Sequence, residues 1–243
     1  MEAEIRYLYH SAFTVKTDCH FFIFDYYRDD PYEGGLADGV IDPREIRDLD
    51  TVVFASHSHQ DHFSRKIFDL KNEVVKIRYV LSSQIRTREA KENALRIQPG
   101  QTLDLGDLTV RALKSTDAGA AFLVKADGFC IYHAGDLNWW DWESEPEADR
   151  KKMARDYREQ IDLLRGEKVD IAFVPVDPRL ENSCLLGLNY FMEAVGASLA
   201  VPMHSFGNLA FYEGLKADPH ISSYRDKMWF YDRRGNSTVF KKT

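Results

Sequence analysis

With 243 residues, 44% of them hydrophobic and 29% charged, the chain has the composition of an ordinary globular protein and the length for a single domain, residues 1–243, with a sizeable core. Its formal net charge of −7 argues against a general nucleic-acid binder, whose surface must be basic to release counterions. No apolar run is long enough to span a bilayer, and residues 1–6 lack a basic-then-apolar leader pattern, so a cytoplasmic location without membrane insertion is expected. Cys19, Cys130 and Cys184, odd in number and without CxxC spacing, read as unpaired thiols of a reducing compartment.

In chain order, residues 5–9, 12–15 and 20–24 read as strands of an antiparallel meander, with Thr17-Asp18 as turn chemistry. Residues 29–45, interrupted by Pro31, Gly34, Gly35, Gly39 and Pro43, read as a long loop. Residues 51–55 form a β-branched and aromatic run suited to a buried strand. It leads into Ser56-His57-Ser58-His59-Gln60-Asp61-His62 and then the amphipathic segment 63–70. Residues 74–81 are another strand, 102–113 a hairpin turning at Gly106-Asp107, and 121–132 a hairpin turning at Asp127-Gly128 that delivers Asp136 at a strand end.

Residues 147–165 read as the longest helix, because Met153, Tyr157, Ile161 and Leu164 recur at helical spacing and Gly166 follows as a stop. A buried strand over 169–176 then ends at Asp177, a short helix over 188–195 is closed by Gly196, and a strand over 199–202 presents His204. Residues 228–231 and 237–240 are expected to form a final strand pair. No repeat, low-complexity tract or linker divides the chain, and the alternation of elements supports α/β or α+β structure.

The HxHxDH run carries the chemistry. In an extended loop, residues two apart point the same way, so His57 and His59 can offer imidazole nitrogens to one ion. Asp61 and His62, where the loop turns into the next segment, can be aimed at a second point close by. Mixed imidazole and carboxylate ligation suits a divalent metal, with zinc first and manganese or iron as alternatives.

The run resembles the signature of the metallo-β-lactamase-fold hydrolases, and the similarity extends from near residue 8 to near residue 208. Asp25, ending Phe21-Phe22-Ile23-Phe24-Asp25, fits the family's early strand-end Asp; Ile131-Tyr132-His133-Ala134-Gly135-Asp136 resembles its metal-bridging Asp, and Ala200-Val201-Pro202-Met203-His204 its final His. The resemblance implies a four-layer αβ/βα sandwich binding one or two ions through His57, His59, Asp61, His62, Asp136 and His204. One element departs from the pattern: no histidine occurs between His62 and His133, and the place of the family's third His reads Lys114-Ser115-Thr116-Asp117-Ala118-Gly119. Either Asp117 substitutes as an oxygen ligand, or water completes the first site, or the second site alone is strongly occupied.

Other residues are weighed by position. His10 resembles a residue near the metal cleft in the phospholipase-D-type and lactonase-type branches, against an ordinary polar strand residue. Asp25 is expected to orient the histidine loop without touching metal, and His133 to pack or hydrogen-bond near the ligands. Trp139, in Trp139-Trp140-Asp141-Trp142, is either core or an aromatic wall of the cleft. Arg179 is either a contact for a carboxylate or phosphate or a surface ion pair. His20 and His220 have no evident partners and are expected to be structural or solvent-facing.

The pattern is closest to the lactonase-like branch, which includes ascorbate-phosphate lactonases, and implies a metal-dependent hydrolase acting on a small-molecule ester, lactone or phosphorylated compound. Asp61 would orient the nucleophile or carry its proton to the leaving group. A phosphodiesterase or nuclease of the same fold is one alternative. A metal-binding or ligand-binding module that has lost catalysis is another, motivated by the missing histidine.

Overall fold

Alternation of buried side chains along the strands divides the interior in two. The computed structural model describes residues 1–31, 33–89 and 92–242. On β3 (His20–Phe24), Phe22 and Phe24 enter one apolar cluster while Phe21 and Ile23 enter another. On β4 (Asp50–Ala55), Val52 and Phe54 separate from Val53 and Ala55 in the same way. Successive strand residues face opposite sides, so a strand that is apolar throughout must be covered on both faces.

These two strands lie in a seven-stranded sheet with β1 (Glu2–Tyr9), β2 (Ala12–Lys16), β5 (Lys76–Ser82), β6 (Ala94–Ile97) and β13 (Ser237–Lys241), in the order β13-β1-β2-β3-β4-β5-β6. Pairing is antiparallel from β13 to β3 and parallel from β3 to β6. A six-stranded sheet runs β12-β11-β10-β9-β8-β7, built from β7 (Thr102–Asp104), β8 (Leu108–Lys114), β9 (Ala120–Ala126), β10 (Phe129–His133), β11 (Val169–Pro175) and β12 (Ala197–Met203). It too changes from antiparallel to parallel, at β10.

The sheets pack face to face through aromatic rings, with Phe13 4.6 Å from Phe173 and Phe54 5.5 Å from Phe122 between centroids. On the outer side of the second sheet, α1 (Glu147–Asp162) and α2 (Leu186–Ala194) bury Tyr157, Ile161, Leu188 and Phe191. The outer side of the first sheet is covered by a 3-10 segment, Arg65–Asn72, through Ile67, Phe68 and Leu70. The result is the expected four-layer arrangement, with a 3-10 segment where residues 63–70 suggested an ordinary amphipathic helix. No helix among the described residues is long and apolar enough to cross a membrane.

The sheets are also tied by polar contacts at the amino-terminal end of β3. His20 is buried there, its Nδ1 2.8 Å from Asp127 and its Nε2 3.1 Å from Asp107, which in turn accepts two hydrogen bonds from Arg78. Its partners sit in the two hairpin turns, so sequence neighbours could not reveal them. Burial works against charge on this imidazole, but the hydrogen bonds to Asp127 and Asp107 outweigh it and raise its pKa.

One strand pair is corrected. Residues 228–231 do not pair with 237–240: β13 pairs with β1, and Met228 makes only an isolated bridge to Ala200. Tyr231 explains the difference, because it is buried against Tyr7 at 4.1 Å and donates its hydroxyl to the Pro202 carbonyl, so the segment serves packing rather than a ladder. β6 and α3 (Leu209–Leu215) were not anticipated. β6 is an edge strand with mostly unburied residues and no clean alternation, and α3 contains a glycine within a single short run.

Candidate metal centre

The parallel halves of the two sheets send their strand ends to one edge. Asp25 follows β3, the histidine run follows β4, Asp136 follows β10, Asp177 follows β11 and His204 follows β12. Asp25, fully buried at φ 46°, organises the first group. It accepts the Ser56 backbone N–H at 2.7 Å, the Ser56 hydroxyl at 2.6 Å and His62 Nδ1 at 2.8 Å. Since the Ser56 hydroxyl proton goes to Asp25, its oxygen is left to accept from His57 Nδ1 at 2.9 Å. Across the edge, His204 Nδ1 donates to Asp177 at 2.9 Å. All three imidazoles are therefore anchored through Nδ1–H, which leaves each Nε2 as the electron-pair donor.

Those three Nε2 atoms converge on Asp136. His57 lies 3.2 Å, His62 3.1 Å and His204 3.3 Å from its carboxylate oxygens. The three Nε2 atoms and Asp136 Oδ1 are buried without a hydrogen-bond partner among the described residues. Ligand atoms about 2.0–2.1 Å from one ion at tetrahedral angles lie roughly 3.3–3.4 Å apart, so the spacing and the missing hydrogen bonds both fit shared cations. Burial disfavours charge on Asp136, but the imidazoles of His62, His204 and His57 hold its carboxyl well below the usual range. The residues present thus fit a divalent metal.

Asp61, partly exposed, groups with His62, His204 and His10. His10 differs from the others in its tautomer. Its Nδ1 accepts the Phe206 backbone N–H at 3.1 Å, so the proton of the neutral ring sits on Nε2, which is buried, 3.6 Å from Asp61 and without a hydrogen-bond partner among the described residues. Burial, reinforced by His204 and His62, pushes this imidazole strongly toward the neutral form. It faces Asp61 as a hydrogen-bond donor, not as an electron-pair donor. His133 is also neutral-like: Nε2 donates to the Ser11 carbonyl at 2.9 Å and Nδ1 accepts the Gly135 N–H at 3.2 Å, which steadies the turn before Asp136.

The remaining candidate ligands are looser. His59 and Asp117 are exposed, and one ligand atom each from His59, Asp117 and Asp136 falls within 4.8 Å of the others. Asp117 is brought there by the β8–β9 turn, which docks on the histidine run through an Ala120 N–H to Ser56 carbonyl bond of 3.0 Å. Gly119 permits this approach, since at φ +71° an added Cβ would sit 1.9 Å from the Ser56 oxygen and 2.6 Å from His57 Cβ.

A cleft of about 390 Å³ opens over these groups, walled by Trp140, Trp142, Met153, Arg179 and Phe206. Trp139 lies outside it, tilted against Tyr157 and edge-on to Tyr190 beneath Arg158; Trp140 and Trp142 supply the aromatic wall. Arg179 lies on the cleft wall, ion-paired to the buried Asp177. Asp177 is the functional residue that sequence reasoning passed over. Its signal was its position, an Asp directly after an apolar strand, like Asp25. His220 lies exposed beside Asp218.

Two antiparallel-to-parallel sheets with a His/Asp cluster at the shared strand ends define a metallo-hydrolase architecture. Residues 4–148 match the family model described as Beta-lactamase superfamily domain, and the chain belongs to that family. A UPF0173 metal-dependent hydrolase of Opitutus terrae is 27% identical over 236 residues, covering 89% of this chain and 88% of the relative. Among solved structures, Igni18, described as a novel metallo hydrolase from the archaeon Ignicoccus hospitalis, superimposes with a TM-score of 0.69 at 15% identity over 100% of both chains. The metallo-β-lactamase fold protein YhfI of Bacillus subtilis gives a TM-score of 0.60 at 14% identity, over 98% of this chain and 99% of that one.

Proposed function

We propose that this metal-dependent hydrolase cleaves an ester, lactone or phosphate ester of a small molecule in the cleft over Asp136. The observation that carries the reading is the convergence of His57, His62 and His204, each anchored through Nδ1, on an Asp136 carboxylate that makes no hydrogen bond to them. When bound, a divalent cation supplies Lewis-acid polarisation and a nucleophile from water at neutral pH. His57, His59 and Asp117 would hold a first ion and Asp61, His62 and His204 a second, with Asp136 between them. A carboxylate in place of an imidazole hardens the first donor set, so manganese and iron compete there with zinc.

Asp61, beyond holding metal, and His10 have distinct tasks. Asp61, open to the cleft, orients the attacking water and passes its proton to the leaving group. His10, held neutral with Nε2–H toward the cleft, donates to Asp61 or to negative charge developing on the substrate oxygen. The cleft's size suits a small molecule, and the net charge of −7 disfavours a polynucleotide.

The test is metal analysis of protein purified without chelator, paired with a screen of ester, lactone and phosphodiester substrates. Bound metal with turnover supports the hydrolase, and metal without turnover across the screen favours the binding module. Phosphodiester cleavage alone would favour the phosphodiesterase. An Asp136→Ala variant retaining full metal content and turnover would overturn the assignment.

A further inference from the structure

Arg179 is held in a way that an ion pair alone does not require. Its Nε and Nη2 donate to Asp177 at 3.0 and 2.5 Å, and its backbone N–H donates to the same carboxylate at 2.8 Å. That fixes one edge of the guanidinium. The Nη1 edge has no hydrogen-bond partner among the described residues, and the side chain is 52% exposed on the cleft wall. The faces are fixed as well, with the Phe206 ring centroid 4.7 Å and the Trp142 centroid 5.6 Å from Cζ.

A guanidinium clamped by one carboxylate and two aromatic rings has already lost most of its rotamer freedom, so using its free edge costs little further entropy. Asp177, fully buried, also accepts from His204, which places the free edge one side chain away from the metal cluster. Among the described residues lining the cleft, Arg179 is the one Lys or Arg. Phe206 adds a second observation. It is an exposed aromatic at φ 51°, a backbone conformation that costs a non-glycine residue free energy, and its ring lies tilted against His10 at 4.0 Å. Strain and exposure together mark a surface shaped for a ligand.

We propose that Arg179, with Phe206 and Trp142, forms a subsite for an organic anion, so that the substrate joins a carboxylate or phosphate to an apolar portion and presents its scissile bond to Asp136. The inference rests on the hydrolase reading for the orientation of the substrate, but not for the binding itself. Both oxyanions match the planar N–H edge, and the experiment separates them.

Binding to metal-loaded protein is followed by tryptophan fluorescence, since Trp140 and Trp142 line the cleft, with phenylphosphonate, phenylacetate and the neutral phenylacetamide as probes. At least one anion should bind tenfold or more tightly than the amide, and whichever is tighter names the group. R179M should weaken that anion tenfold or more, leaving amide binding and metal content unchanged. R179Q, which keeps an N–H donor for Asp177, should do the same and covers the case in which R179M fails to fold. Amide binding as tight as that of both anions, or anion affinity retained in the Arg179 variants, would overturn the proposal. Because the readout needs no turnover and metal is assayed on the same samples, a failed subsite is distinguishable from a failed hydrolase.

Discussion

Replacing Asp25 with asparagine should disable the metal centre without touching a ligand. The carboxylate accepts three hydrogen bonds, from the Ser56 N–H, the Ser56 hydroxyl and His62 Nδ1. If the amide oxygen keeps the Ser56 N–H, the NH2 faces the Ser56 hydroxyl and His62 Nδ1, and relieving that clash shifts a proton of His62 or His57 from Nδ1 to Nε2, the atom that would hold metal. If it keeps the hydroxyl and His62 instead, the NH2 meets the Ser56 N–H, a buried donor left unsatisfied beneath the histidine run. A buried donor left unsatisfied costs about 1–3 kcal/mol, so the metal-free variant should lose about 2 kcal/mol of stability. Loss of such a support for a ligand typically costs roughly 10–100-fold in metal affinity. Urea unfolding in chelator measures the first quantity and competition with a chromophoric chelator the second. An Asp25→Asn protein with wild-type midpoint and metal affinity within twofold of wild type would refute the tautomer argument.

Three further outcomes are expected. Asp117→Ala should lower bound metal toward one ion per chain while leaving folding within about 0.5 kcal/mol, as metal analysis and thermal melting would show; unchanged stoichiometry would remove Asp117 from the site. Gly119→Ala should destabilise by roughly 2–4 kcal/mol, combining left-handed strain with overlap on the Ser56 carbonyl, and should lose metal with it. His20 has a pKa raised in the fold, so its contribution is fully present below the unfolded value of about 6.5 and is lost as pH rises through the folded one. The stability gap between wild type and His20→Gln in urea melts should therefore narrow from mildly acidic to alkaline pH, and a gap that widens would contradict the assigned pairing.

The most local features were legible in the sequence, because they depend on spacing along one stretch of chain. The HxHxDH run announces a clustered set of candidate metal ligands, the apolar runs before Asp25, His57, Asp136 and His204 announce buried strands, and the Asp127-Gly128 turn announces its hairpin. Together these carried the family and the layered fold. Edge strand β6 and the segment around Tyr231 were not legible, since one has little burial to impose a period and the other packs its aromatics without a ladder.

What only the tertiary structure decided is which atom of each residue does the work. The sequence lists eight histidines as equals. Around Asp136, folding separates them by what each Nδ1 meets: a carboxylate or the Ser56 hydroxyl behind His57, His62 and His204, but a backbone N–H behind His10 and His133. Those partners lie up to 196 positions away along the chain, brought together because parallel strands end at one edge. The same long-range closure sets Asp177 between His204 and Arg179, a link that spacing cannot encode.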